Sequence, residues 1–114
     1  GLNILSLEYN QIRGQLPSEI GNLTSLKVLR LGRNRLEGPL PAELGALTAL
    51  TSLWLNNNNF TGEIPSTLAN LTNIKELNLT DCNFDTDGPP DYLATKEEAQ
   101  QYLATLRPDP NTLE

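Results

Sequence analysis

The sequence predicts an α/β solenoid. Four 24-residue turns would stack with a parallel sheet along one face, 3₁₀ turns along the other, and a capping α-helix at the C-terminal end. Three observations predict it. The first is an apolar framework that recurs without insertion or deletion: Leu2, Leu26, Leu50 and Ile74; Leu5, Leu29, Leu53 and Leu77; Leu7, Leu31, Leu55 and Leu79. The second is a set of markers at the same offset: Asn10, Asn34 and Asn58 with Cys82 in the fourth turn, and Pro17, Pro41, Pro65 and Pro89. The third is a change of period after Leu93, from the repeat to a helix pattern. A period in the twenties marks units that bury their apolar faces only by stacking. The expected division is 1–93 for the repeats (2–25, 26–49, 50–73 and a degenerate 74–93), 94–107 for the capping helix, and 108–114 for a frayed tail.

Each turn has three parts. In L-x-x-L-x-L, leucines alternate with variable residues, the pattern of a short strand with one buried face. Stacked copies would form a four-stranded parallel sheet. The Asn that follows can donate to and accept from backbone groups of neighbouring turns. In register, Asn10, Asn34 and Asn58 form a ladder, and Cys82 occupies its fourth position. Next comes x-G-x-I/L-P, as in Gly38-Pro39-Leu40-Pro41, where Gly permits a bend at positive φ and Pro fixes an extended approach. The third part, such as Ser18–Leu23, is too short for an α-helix and suits a 3₁₀ turn. It points Ile20, Leu44, Leu68, Leu23, Leu47 and Leu71 inward. In the fourth turn Thr86 and Gly88 break the pattern, Pro89 survives, and Tyr92 is expected to face inward. Thr95 to Glu98 has the form of a capping box. Ala99, Tyr102, Leu103 and Leu106 then share one helix face, Arg107 falls in the last turn, where a cation suits the helix dipole, and Pro108 ends the helix.

The net charge of −6 is uneven. Residues 1–80 balance six acids against six bases, whereas 81–114 hold eight acids against Lys96 and Arg107. No basic stripe is present for nucleic acid, and no apolar run is long enough for a membrane span. The chain opens directly on a repeat at Leu2, so further repeats or a cap are expected upstream. The one cysteine, Cys82, forms no internal disulfide and is expected as a small buried thiol. The acidic run Asn83–Asp91 lacks the bidentate glutamate of a calcium loop and is expected as a solvated capping turn. There is no histidine, which removes the usual general base and metal ligand. The chain is therefore expected to be non-enzymatic, with no cofactor and no metal.

The repeat L-x-x-L-x-L-x-x-N-x-L-x-G-x-I/L-P-x-x-L-G-x-L, carried by residues 2–93, resembles the plant-specific class of leucine-rich repeats. That class occurs in receptor-like kinases, receptor-like proteins and polygalacturonase-inhibiting proteins. The resemblance implies a right-handed leucine-rich-repeat superhelix that binds ligands through its concave sheet and adjoining loops.

The variable strand positions map onto that face. Trp54 and Arg30 occupy the same position of adjacent repeats, within reach of a cation–π contact. Tyr9, Arg33 and Asn57 share another position, and Arg35 lies just past the ladder. Trp, Tyr and Arg are the types enriched at binding hot spots. Tyr9, Arg30, Arg33, Arg35, Trp54 and Asn57 are thus expected to form a surface for a protein or peptide ligand. The alternative is that Trp54 and Arg30 merely cover the sheet, in a spacer segment that binds nothing. Sequons place candidate N-glycans at Asn22, Asn59 and Asn70, and a fourth, at Asn78, falls on a strand. The compartment stays open between cytoplasmic and extracellular.

Overall fold

A computed structural model describes residues 1–85 and 90–107. The strands are β1 (Ile4–Ser6), β2 (Arg13–Gln15), β3 (Val28–Arg30), β4 (Arg35–Gly38), β5 (Ser52–Trp54), β6 (Asn59–Phe60), β7 (Glu76–Asn78) and β8 (Ala94–Thr95), followed by the helix α1 (Lys96–Ala104). Strands β1, β3, β5 and β7 lie side by side and parallel, and β8 pairs antiparallel with β7 to complete a five-stranded sheet. The register pairs each leucine with its counterpart in the next repeat, as in Leu5↔Leu29 and Leu29↔Leu53. This is what alternation at a fixed offset dictates: the leucine of each strand enters the core and its neighbours face out. Leu29, Leu53 and Leu77 are fully buried.

The opposite side carries 3₁₀ turns at Ser18–Asn22, Ala42–Ala46 and Ser66–Asn70. Each follows a proline in extended conformation. Leu44, Leu47, Leu68 and Leu71 are buried, with Ile20 close behind. The glycine in these turns has a steric cause. A Cβ at Gly45 would lie 2.5 Å from the Thr67 carbonyl of the next turn, so any side chain would force the turns apart.

A second parallel sheet, β2–β4–β6, flanks the first. The sequence points only to a Gly-permitted bend there. Gly14, Gly38 and Gly62 do adopt positive φ, but the residues leading to each bend run extended and pair between repeats. The bonds are main chain to main chain, and strands of two to four residues leave no period-two pattern.

The C-terminal closure differs from expectation in four ways. Tyr92 is 49% exposed rather than inward-facing. The chain reverses into β8 instead of forming another 3₁₀ turn, so Ala94 takes the buried place. Residues 94–95 being strand, the helix covers only Lys96–Ala104, and Arg107 lies beyond its last turn. Thr95 is the N-cap residue, yet its hydroxyl donates to Glu98 Oε1 (2.9 Å) rather than accepting a backbone amide. Ala99 and Leu103 are buried, and Tyr102 and Leu106 pack against the core. Gln100 Nε2 donates to the carbonyls of Thr72 and Ile74 (3.1 and 3.2 Å). One repeat earlier, Asn73 Nδ2 donates to the Thr48 carbonyl (2.9 Å). The cap therefore supplies the donor that another repeat would have supplied. Thr86, Gly88 and Pro89, the capping turn expected at Asn83–Asp91 that spans them, Pro108 and the expected tail lie wholly or partly outside the described residues. At the other end Leu2 is 48% exposed, whereas its counterparts Leu26 and Leu50 are fully buried.

Burial of Tyr102 pushes its hydroxyl up to about 12 from an ordinary value of 10.0. The folded chain thus holds this proton more tightly than the unfolded chain. The resulting stability is complete below pH 10.0 and is lost as pH rises toward about 12. Urea unfolding measured across this window should fall more steeply for the native sequence than for Tyr102→Phe. Parallel curves would mean the hydroxyl is solvated when folded.

Candidate functional site

The five-stranded sheet presents the row Ser6, Arg30, Trp54, Asn78, one residue from each of its four parallel strands in register. The Arg30 guanidinium lies over the Trp54 ring, 4.7 Å from its centroid. Arg30 Nη2 also reaches Glu76 Oε1 at 3.4 Å, two strands away, and the same oxygen accepts from Ser52 Oγ at 3.0 Å. Both charged side chains are more than a third exposed, so the pair itself contributes little to stability.

A second stack sits at the lip. The Arg33 guanidinium lies 5.1 Å from the Tyr9 ring centroid. Tyr9, Arg33, Asn57 and Asp81 all have positive φ, between 55 and 60°. One left-handed residue thus precedes each ladder position. Such a residue without glycine's freedom costs roughly 1–2 kcal/mol, with Asn tolerated best. Arg33→Asn is expected to stabilise the fold by about 0.5 kcal/mol after loss of the Tyr9 stack. A lowered urea midpoint would show that the stack outweighs the strain.

The ladder sits directly beneath. Asn34 Nδ2 donates to the carbonyls of Leu7, Leu31 and Gly32, and its oxygen accepts from the Ile12 amide. Asn58 repeats this with Leu31, Leu55 and Asn56, accepting from Leu36. Asn10 is exposed and bonds only Leu7 and Glu8 of its own turn. Cys82 keeps the donor half: its thiol donates to the Leu55 carbonyl at 3.3 Å. Burial pushes that thiol upward from 9.0, which keeps it protonated for this role.

The structure brings Arg30 to Trp54 and Tyr9 to Arg33, but it separates Arg35. That residue begins β4 and so belongs to the second sheet, pairing with Arg13. The two arginines line a groove of about 450 Å³ with Glu37, Asn57 and Asn59. Asn57 accepts from Asn56 Nδ2 (2.8 Å) and donates to Asp81 Oδ2 (3.3 Å), which ties it into the turn. Ser52, Asn56 and Asn78 are buried, although their positions face away from the leucine core. The binding surface expected from the sequence did not include Glu76 and Ser52. The available signal was the shared strand position of Ser52 and Glu76, one strand apart and beside Arg30.

Of the sequon asparagines, Asn22 and Asn70 are exposed at the ends of 3₁₀ turns, on the side away from the concave face. Asn59 is exposed on β6, where its oxygen accepts from Asn83. Asn78 is buried, its oxygen bonded to the amide and hydroxyl of Thr80. Among the described residues no group of His, Cys, Asp and Glu could hold a metal ion, and no helix is long and apolar enough to cross a membrane.

Residues 1–95 match a family described as a leucine-rich repeat region. No curated protein matches the chain. Among solved structures, the chain is similar to the leucine-rich-repeat ectodomain of the plant membrane receptor kinase GASSHO1/SCHENGEN3 from Arabidopsis thaliana, in complex with CASPARIAN STRIP INTEGRITY FACTOR 2. The identity is 42%, the TM-score 0.74, and the match covers 76% of this chain and 11% of that one. It is similar to PEPR1 in the PEPR1–AtPEP1 structure at 40% identity and TM-score 0.71, over 73% of this chain and 12% of that one. The Arabidopsis receptor kinase HAESA structure, with the peptide hormone IDA and the co-receptor SERK1, matches at 39% identity and TM-score 0.71, over 73% and 14%. The chain therefore spans only a small fraction of the length of these relatives.

Proposed function

Because this chain belongs to the leucine-rich-repeat family, we propose that it is a protein- or peptide-binding module that recognises its ligand through the concave sheet. In this reading it is a right-handed superhelix of four 24-residue repeats with no catalytic role of its own. The observation that supports it is the pair of stacks, Arg30 on Trp54 and Arg33 on Tyr9. Aromatic and arginine side chains anchor interfaces because they bring large contact area together with hydrogen-bonding edges. Two of the similar ectodomains were solved with CASPARIAN STRIP INTEGRITY FACTOR 2 and with the peptide hormone IDA, which supports a peptide ligand for this framework. Asn57 and Arg35 would border the ligand, Asn57 from the turn and Arg35 from the second sheet. Nucleic acid and membrane are not proposed as partners.

The test is selection of a displayed random-peptide library on the intact chain, followed by affinity measurement with Trp54→Ala and Arg30→Ala. Each substitution is expected to weaken selected peptides by about 2 kcal/mol, roughly thirty-fold. Selected peptides that bind both variants as tightly as the native chain would move the site off this face. A library that yields no binder would favour the spacer reading.

A further inference from the structure

Among the described residues, three buried side-chain polar atoms have no hydrogen-bond partner: Nε of Arg30, Nε1 of Trp54 and Oδ1 of Asn56. They belong to neighbouring positions on β3, on β5 and just after β5. Asn56 is only 6% exposed, and its Oδ1 lies where a Cβ of Gly32 would be, 2.4 Å away. Glycine at position 32 leaves room for it, whereas a side chain there would displace the Asn56 amide. The ladder amides beside these atoms are fully engaged, so the unmet bonding is local to this cluster. Buried donors and acceptors that have given up water without replacement are unusual in a settled core and call for an explanation.

The chemistry of the unmet groups is specific. The charge of Arg30 already faces Glu76, so what remains open is neutral hydrogen bonding, two donors and one acceptor. A carboxylate could answer the donors but not Asn56 Oδ1. A polypeptide main chain offers both a carbonyl and an amide N–H. The cover over the indole is also weakly held. Arg30 has one contact to Glu76 at 3.4 Å and the ring face, with its side chain 36% exposed. Glu76 keeps its bond from Ser52 when Arg30 leaves.

We propose that Arg30 is a latch over a subsite for an extended peptide main chain. This rests on the reading of the concave sheet as a binding face. A ligand strand crossing β3 and β5 draws Arg30 off the indole. Ligand carbonyls then accept from Arg30 Nε and Trp54 Nε1, and a ligand amide donates to Asn56 Oδ1. The recognition is of backbone, so it is largely independent of ligand sequence.

The test is a nitrogen-15 NMR titration of the intact chain with a neutral blocked peptide, acetyl-Thr-Val-Thr-Val-Thr-Val-amide, with acetate as the contrasting anion. Trp54 is the sole tryptophan, so its indole N–H signal is unambiguous. The expected result is a saturable downfield movement of Trp54 Nε1–H and Arg30 Nε–H with the peptide, little movement with acetate, and several-fold tighter peptide binding by Glu76→Gln, which loosens the latch. Shifts confined to backbone amides of β3 and β5, without these two protons, would overturn the latch and leave the binding face standing. Equal response to acetate would overturn the main-chain assignment. Unchanged or weaker binding by Glu76→Gln would show that Glu76 does not hold Arg30. No response to millimolar peptide would overturn the subsite, while the binding face is judged separately by the library selection.

Discussion

Phe60→Ala is expected to destabilise the fold by about 3–5 kcal/mol. Phe60 is fully buried, and its ring lies parallel to that of Phe84, 6.3 Å between centroids with 6° between planes. It lies on β6 and belongs to the hydrophobic core. Truncation removes most of the ring's burial and leaves a cavity that leucines fixed by the repeat cannot fill. Small domains are stable by only about 5–15 kcal/mol, so a large share of the folding free energy is at stake. Urea unfolding followed by far-ultraviolet dichroism measures it. Phe84→Ala is the internal comparison: Phe84 is only partly buried and should cost well under half as much. Equal costs would mean that the stack, rather than burial, sets the value.

Asn58→Ala should cost about 2–4 kcal/mol, from several backbone groups left unpaired at once. Its amide donates to the carbonyls of Leu31, Leu55 and Asn56 and accepts from the amide of Leu36. Two of these groups belong to the preceding repeat, so the side chain joins two turns where no water can substitute. Asn10→Ala provides the contrast. Asn10 occupies the same repeat position but is exposed and bonds only its own turn, so its loss should cost no more than about 0.5–1.5 kcal/mol. Asn58→Ala and Asn10→Ala with the same urea midpoint would show that the ladder does not bridge repeats.

Much of the molecule was legible in the chain because the repeat encodes it redundantly. Leu29, Leu53 and Leu77 each report the same inward direction, and Asn34 and Asn58 each report the same turn. The 3₁₀ turns followed from segments too short for an α-helix. Arg30 over Trp54 was readable too, since parallel register puts equal repeat positions side by side. The first failures came where the repeat ends. Tyr92 holds an inward repeat position, but β8 turns back along β7 and gives that place to Ala94. No pattern along the sequence announces an antiparallel return of two residues.

Other features depended on contacts between turns that carry no sequence signature. The β2–β4–β6 sheet is held by main-chain bonds, and it took Arg35 away from the concave face. The tie from Glu76 to Arg30 and Ser52 depends on side-chain reach across two strands. By itself, then, the sequence determined the period, the buried leucine face, the ladder and the presence of a capping helix, because each follows from spacing along one chain. Only the tertiary structure decided how the last turn closes, which arginines share a face, and which polar atoms on that face are left unpaired. These depend on distances between residues 17 to 46 positions apart, and such distances exist only once the turns have stacked.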